Sequence, residues 1–347
     1  DGAYKSICTL PEKLWCTVRI CADFDIAAAD VSVNGKLKAA GISFAKEQSE
    51  PELLSFETGK AAADTLWLDD IYLAADTEYD DYPSEPAKLS KSGTDVIVGM
   101  QTCDLWRQGK HFGWDKINGY PSRKPYLGYY DDGSAEAADW EIKYMVEHGV
   151  DFAIRCWYRP GNIAAPIKEP RNGYAIHDGY FNAKYKDKIK FAIAWENGGW
   201  SPADTDAAMN DFKENIVPFW IEYYFKDPNY FVLDNKIVLN IYDVNKLAAR
   251  FGADGAKEAV AYLTAEVKKI GFDGIYLIGQ TSSSDAAVLQ RYKDYGYDAV
   301  YCYSYGQNNM SVVKQADCIA AQKNAGVISS IPTIAMGRDD TAWNRTA

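Results

Sequence analysis

Lys190-Phe-Ala-Ile-Ala-Trp-Glu-Asn-Gly-Gly-Trp200 is an apolar run of strand length that ends on a carboxylate, Glu196, framed by Trp195, Asn197 and Trp200. A charge at the end of a buried strand is expensive unless it is exposed or paired. In a parallel barrel the carboxyl ends of the strands are where active sites are built. Two indoles beside an acid suggest a surface on which a sugar ring could stack, so the reading of the fold turns on whether neighbouring segments repeat this layout.

They do. Three helix-to-strand joints share one grammar, in which a helix stops at glycine, an apolar residue and an aspartate follow, and a strand begins. They are Gly149-Val-Asp-Phe152, Gly271-Phe-Asp-Gly274 and Gly296-Tyr-Asp-Ala299. Glycine supplies the left-handed cap that ends a helix. Ala138, Ile142, Met145 and Val146 form an apolar stripe before the first joint, and Val260, Leu263 and Val267 before the second. Ser201-Pro202 has the chemistry of an N-cap and first turn.

Strands are expected at Val96–Gln101, Phe152–Tyr158, Ile189–Trp195, Ile237–Tyr242, Ile275–Gln280, Ala299–Tyr303 and Ile331–Met336. Strands alternating with helices make a parallel sheet with crossover connections. The fold class is therefore α/β, a (β/α)8 TIM-type barrel whose eighth strand is missing from the sequence. An open doubly wound sheet is the second choice, because no glycine-rich phosphate loop follows the first strand.

Residues 1–79 look different, with alternating runs at Trp15–Phe24, Gly41–Phe44, Glu52–Phe56 and Thr65–Leu73, and turn chemistry at Asn34-Gly35 and Thr58-Gly59. They read as a small β-sandwich. Residues 80–94, with Pro83, Pro86, Ser90, Ser92 and Gly93, have the composition of a linker, and 95–347 make the barrel domain.

The chain carries a net charge of −12 over 347 residues, which argues against nucleic acid or an anionic membrane as partner. Its 10 Trp and 25 Tyr favour a neutral ligand with flat apolar faces. No apolar run reaches membrane-spanning length. The seven cysteines show no zinc spacing and the three histidines make a histidine metal centre improbable, so no metal or other cofactor is expected. Cys103, Cys156 and Cys302 read as small buried hydrophobes, and one bridge among Cys8, Cys16 and Cys21 is conceivable. Oligomeric state is not legible.

At the strand ends, polar side chains should point into or over the lumen. Arg155 is expected to face the lumen and to need an anion, with Glu196 on the next strand the natural partner. It would either tune that acid or form a structural ion pair. Asn240 puts Tyr242 on the inner face and leaves Asp243 at the tip, as a second site carboxylate or as a helix cap. Gln101 and Gln280 could bond sugar hydroxyls. Tyr301, Tyr303 and Tyr305 share a parity and either pack on helices or line the cleft. Trp106, Trp114, Trp157 and Tyr158 fall around the same rim, where an indole could stack on substrate. His111 and His177 read as loop histidines. Asp339 and Asp340 follow the last strand.

At these residues the chain resembles the glycoside hydrolase family 99-like group, which includes endo-α-mannosidases and WbsX-like bacterial polysaccharide proteins. The resemblance covers about residues 95–347 and rests on pieces in order: Tyr129-Tyr-Asp131, Trp140-Glu-Ile-Lys143, Gly149-Val-Asp151 with Trp157-Tyr158, Ala194-Trp-Glu-Asn197, Tyr224-Phe-Lys-Asp-Pro-Asn-Tyr230, Lys236-Ile-Val-Leu-Asn-Ile-Tyr242, and Gly337-Arg-Asp-Asp-Thr341 with Trp343. Leu66-Trp-Leu-Asp-Asp-Ile-Tyr72 resembles the closing strands of a jelly-roll carbohydrate-binding module.

The resemblance implies a β/α barrel and an endo-acting, retaining hydrolase of α-mannose-type glycans, without a metal. It also implies that the principal carboxylates of such a protein lie on an eighth strand, which this sequence stops short of. Both domains are thus expected to be incomplete. Glu196 is then a catalytic or assisting carboxylate with Asp243 beside it, at a site walled by the polar and aromatic residues above. A glycosyltransferase-like role in polysaccharide assembly and a non-catalytic glycan-binding protein are the alternatives. An extracellular, periplasmic or cell-surface location follows from pairing a binding module with a glycosidase.

Overall fold

The computed structural model describes residues 6–10, 16–23, 28–34, 36–43, 82–91, 95–107, 114–117, 120, 123, 125, 127–161, 163, 165–304, 311–335 and 342. Near the N-terminus, β1 (Val18–Asp23), β2 (Ala28–Val33) and β3 (Lys36–Ser43) form an antiparallel sheet. Val33 pairs with Lys36, and Asn34 sits at φ 50 between them, the left-handed conformation that a two-residue hairpin requires. The expected turn at Asn34 is therefore present, flanked by a strand, Ala28–Val33, that was not anticipated. The strands expected at Glu52–Phe56 and Thr65–Leu73, and the Thr58-Gly59 turn, lie outside the described residues.

Residues 82–91 run along the first helix, α1 (Ala135–Glu147). The Tyr82 hydroxyl and the backbone N–H groups of Lys184 and Tyr185 all donate to the fully buried Asp139 of α1. Farther along, Lys143 reaches Ser84 and the Leu89 N–H reaches Val146 O at 3.5 Å.

The barrel sheet is built from β4 (Gly99–Thr102), β5 (Phe152–Trp157), β6 (Lys190–Trp195), β8 (Lys236–Ile241), β9 (Gly274–Gln280), β10 (Ala299–Tyr301) and β11 (Ser329–Ser330), all parallel and in the order β11-β10-β9-β8-β6-β5-β4. A short β7 (Val232–Leu233) makes a hairpin with β8 through Asp234 and Asn235, both at positive φ. Between the strands run α2 (Thr205–Asp211) and α3 (Val217–Trp220), linked and continued by π-helical turns over Phe212–Ile216 and Ile221–Phe225. They are followed by α4 (Val244–Phe251), α5 (Ala253–Lys269), α6 (Ala286–Asp294) and α7 (Val312–Ala325).

The joints form as their sequence dictates. Gly149, Gly271 and Gly296 have φ of 80, 100 and 95. Each closes a Schellman cap, as where Tyr297 N–H bonds Tyr292 O at 3.2 Å and Gly296 N–H bonds Lys293 O at 2.9 Å. At two of the three joints the aspartate carboxylate then pins its strand to the previous one. Asp151 accepts from Val98 N–H at 2.7 Å and Asp298 from Leu277 N–H at 2.8 Å. The stripe Ala138, Ile142, Met145 and Val146 is buried, as expected.

Three boundaries differ from expectation. Pairing begins only at Gly99, because Val96, Ile97 and Val98 lie exposed at the open edge beside β4. The last strand is Ser329–Ser330 rather than Ile331–Met336, since only Ala299 and Val300 of β10 offer it partners. The helix after β6 starts at Thr205, where Asp204 caps it by accepting from Ala207 N–H, and not at Ser201-Pro202.

The sheet is curled. β10 and β4 are five strand spacings apart, roughly 24 Å if the sheet were flat at about 4.8 Å per spacing. Yet Tyr301 of β10 lies beside Gln101 of β4 and Cys156 of β5. Their side chains meet across a lumen, so the seven strands form an open barrel of the TIM type with its helices outside.

Candidate functional site

Parity along the strands is fixed by what each side chain touches. Phe191, Trp195 and Trp157 pack against Tyr224, Phe212 and Trp220 of the helices, so odd-numbered residues of β5 and β6 face outward. Even-numbered residues face the lumen. In β8, Leu239 and Ile241 line an almost wholly apolar pocket with Phe212, Leu247 and Leu263 on the helix side, leaving Asn240 for the lumen. That pocket is lined almost entirely by carbon and lies between sheet and helices, so it belongs to packing.

The carboxyl end of the lumen is polar. Gln101, Cys103, Cys156, Tyr158, Glu196, Asn240, Tyr242, Gln280, Tyr301 and Tyr303 come from the ends of β4, β5, β6, β8, β9 and β10. Tyr301 is in register with Gln280, and Tyr303 meets Tyr242 edge-on at 5.6 Å. Burial pushes the Tyr301 hydroxyl well above its ordinary value and Cys156 adds to it, while the amides of Gln101 and Asn240 pull the other way. Burial likewise raises the Tyr158 hydroxyl, with Cys156, Cys103 and Glu196 contributing. These tyrosines are thus neutral hydroxyls at physiological pH. Gln101 Oε1, Asn240 Oδ1 and Tyr301 Oη are all buried, and none closes a well-formed hydrogen bond. Three strands therefore gather polar side chains at one place, the amides of Gln101 and Asn240 within reach of the Tyr301 hydroxyl.

Glu196 stands one residue beyond β6 and is half-buried. Its N–H bonds Trp157 O at 2.9 Å, and its Oε1 accepts from Gly198 N–H at 3.2 Å. A Cβ on Gly198 would come within 2.5 Å of that oxygen, so glycine is what lets the carboxylate lie back on its own loop. Asn197 is fully buried and clamps the ends of β6 and β8. Its Nδ2 donates to Asp243 O at 2.8 Å and its Oδ1 accepts from Asp243 N–H at 2.9 Å. Arg250 of α4 donates to the carbonyls of Asn197 and Gly198 and lies in the field of both Asp243 and Glu196. Asp243 caps α4, accepting from Lys246 N–H at 2.9 Å. This is the cap alternative of the two readings of Asp243.

Several expectations need correction. Arg155 does not face the lumen and does not meet Glu196. It points into the helix layer, where Nη1 bonds Asp104 Oδ2 at 2.9 Å and Glu141 Oε2 at 3.1 Å, beneath the ring of Tyr180. The reason is parity, since Arg155 lies on the same face as Trp157. Trp157, Trp195 and Trp200 are interior side chains, each 2% exposed or less, and do not offer faces to solvent at the rim. Trp200 donates to Asp211, which also takes a bidentate bond from Arg159. Trp106 and Trp114 do pair, stacking at 4.3 Å. His177 lies in a π-turn and bonds the Tyr224 hydroxyl at 2.8 Å, its pKa lowered by burial. Cys103 is exposed and Cys156 half-buried, so only Cys302 is a buried thiol as expected. Cys8 and Cys16 are not joined in a disulfide. His111, Tyr305, Asp339 and Asp340 lie outside the described residues.

Sequence reasoning missed the carboxylate group around Arg155. Asp132 lies beside Asp104 and Glu141, and burial together with these two neighbours raises its pKa well above the carboxylate range. Glu141 is raised too, chiefly by burial, with Arg155 opposing. Among the described residues, no set of three or more His, Cys, Asp or Glu side chains is placed to hold a metal ion. No described helix is long and apolar enough to cross a membrane.

Fold and site together define an open β/α barrel with a polar, tyrosine-rich lumen at the carboxyl ends of its strands. The chain is similar to solved glycoside hydrolase structures. The family 99 endo-α-mannosidase of Bacteroides thetaiotaomicron, in complex with bis-tris-propane, aligns at 14% identity over 72% of this chain and 73% of that one, with a TM-score of 0.49. A second structure of the endo-α-mannosidase from that organism aligns at 18% identity over 63% and 59%, with a TM-score of 0.44. A glycoside hydrolase-like protein aligns at 18% over 74% and 75%, with a TM-score of 0.48. No family model and no curated protein matches the sequence.

Proposed function

We propose that this chain is a glycoside hydrolase that takes a glycan into the lumen of its barrel, with Glu196 as a catalytic or assisting carboxylate. The observation that supports this reading is the gathering of Glu196 with the polar side chains of Gln101, Asn240 and Tyr301 at the carboxyl end of one lumen. A sugar presents hydroxyls that donate and accept at once, which suits amide and phenol oxygens fixed on separate strands. Tyr242 and Tyr303 supply aromatic surface for a ring. The finer reading is an endo-acting, retaining enzyme of α-linked, mannose-type polysaccharide, working outside the cytoplasm. It rests on the resemblance carried by the motifs from Tyr129 to Trp343.

Glycoside cleavage needs a second carboxylate. The engagement of Asp243 as a helix cap favours a second reading, in which the barrel binds glycan without cutting it. Reducing-end release from a panel of α-mannan oligosaccharides, measured beside calorimetric binding of the same sugars, separates the two. Wild-type protein is expected to release reducing ends, and Glu196→Gln to lower that rate by a factor on the order of 10² or more while still binding. Binding without release supports the second reading. If neither release nor binding occurs with any α-glycan, both fail.

A further inference from the structure

Two thiols stand side by side at the mouth of the lumen. The ladder between β4 and β5 pairs Thr102 with Arg155, and the next residues on the two strands are Cys103 and Cys156. Neighbouring strands lie about 4.8 Å apart, within the Cα separation of roughly 4.4–6.8 Å that a disulfide spans. The side chains are on the same face, close enough for the Cys156 thiol to hydrogen-bond with Cys103. Cys156 Sγ also lies 3.3 Å from Thr102 O, to which it donates. Cys103 is exposed and Cys156 half-buried, so an oxidant reaches one thiol first and the second waits behind it. Contact with Cys103 and burial both raise the pKa of Cys156, keeping it as the protonated partner. The paired strand register and the direct thiol contact set these two apart. Cys302, by contrast, is buried and its thiol is pushed up to about 11, chiefly by desolvation.

We propose that Cys103 and Cys156 are a dithiol–disulfide pair, an oxidative modification site built into the wall of the lumen and addressed by a hydroperoxide. The Cys103 thiolate attacks the outer oxygen of hydrogen peroxide, forming an S–O bond as the O–O bond breaks and hydroxide leaves. The Cys156 sulfur then attacks the sulfenic sulfur. The S–S bond forms as the S–O bond breaks, and the leaving hydroxyl departs as water with the Cys156 proton. One peroxide is reduced, two thiols are oxidised, and two waters result when the first hydroxide is protonated. The bridge ties β4 to β5 beside Gln101 and Tyr158. This inference does not depend on what the lumen binds.

The test uses the full chain. It is treated with hydrogen peroxide, denatured, and its remaining thiols alkylated before tryptic mapping by mass spectrometry. Arg107 and Lys143 lie between the two cysteines, so a bridge appears as two linked peptides lacking two hydrogens. That species should form at low peroxide, vanish with dithiothreitol, and be absent in Cys103→Ser and in Cys156→Ser, in which the surviving thiol is alkylated. Cys103 found as sulfinic acid while Cys156 remains alkylatable, or Cys103 bridged to another cysteine, overturns the proposal. Because the wild-type map is itself decisive, a variant that fails to fold leaves the result intact.

Discussion

On their outer face, β5, β6 and β8 present Arg155, Trp157, Phe191, Trp195, Leu239 and Ile241 to the helices, whereas on the inner face they present Cys156, Glu196 and Asn240 to the lumen. The two faces solve the burial problem differently. Outside, rings interlock and the one charge is neutralised by two carboxylates, and the polar atoms left without a well-formed bond are donors only, Arg155 Nε and Nη2 and the indole N–H groups of Trp157, Trp195 and Trp220. Inside, polar atoms are gathered and left without well-formed bonds. Trp195 and Glu196 make the contrast sharpest, being consecutive residues on opposite faces of one strand. Stability should therefore reside on the outer face and ligand recognition on the inner one.

Trp195→Ala tests the division most severely. Trp195 is 1% exposed and meets Trp157, Trp200, Phe212 and Trp220. Truncating such a side chain costs about 3–5 kcal/mol, which urea denaturation would show as a large drop in midpoint. Glu196→Gln, one residue along, should leave the midpoint within about 0.5 kcal/mol of wild type, as a half-exposed polar exchange does. Equal effects of the two changes would end the distinction between the faces.

A smaller effect is expected at the charged part of the outer face. Asp132 is buried beside Asp104 and Glu141, with Arg155 as the nearby cation, and Trp106 N–H donates to it at 2.6 Å. Its folded pKa is raised above the unfolded value. The stability it contributes is therefore fully present below about pH 4 and is lost as pH rises through the folded value. Glu141 works in the same direction. Asp132→Asn keeps an acceptor for Trp106 and removes the titration, so it should be more stable than wild type at pH 7. The gain should shrink toward pH 4, each unit of difference between the two states being worth about 1.4 kcal/mol. Thermal melts of both proteins from pH 4 to pH 8 check the sign, and a gap that widens on acidification would refute it.

The joints and most of the strands were legible because their causes are local. A glycine at positive φ after an amphipathic helix needs no knowledge of the rest of the chain, and neither does the aspartate that follows it. The lumen positions of Gln101, Tyr242 and Gln280 followed from strand ends in the same way, while the shared parity of Tyr301 and Tyr303 left their face open. Arg155 was misplaced because its partners are remote and of unknown face. Asp104 lies 51 residues earlier, and Glu141 belongs to a helix whose packing no short window reveals. The indoles were misread by treating adjacency in sequence as adjacency in space. Successive residues of a strand point to opposite faces, so Trp195 next to Glu196 cannot share its side of the sheet. Asp104, Asp132 and Glu141 gave no sequence signal as a group, since three separate elements bring them together.

The inner face is probed most finely by Tyr301→Phe. The ring of Tyr301 is buried in the curled sheet, and only its hydroxyl reaches toward Gln101 and Asn240. Because that hydroxyl closes no well-formed bond, deleting it should alter the denaturation midpoint by no more than about 1 kcal/mol, the usual worth of one hydrogen bond. The same deletion removes a group that a bound sugar would use. Glycan affinity should then weaken about fivefold, the equivalent of roughly 1 kcal/mol. Calorimetric binding of the glycan panel to both proteins, with urea melts in parallel, separates the two quantities. A loss of several kcal/mol in stability with affinity unchanged would make Tyr301 an outer-face residue in energetic terms, and the oxygens it faces would then be packing rather than a site.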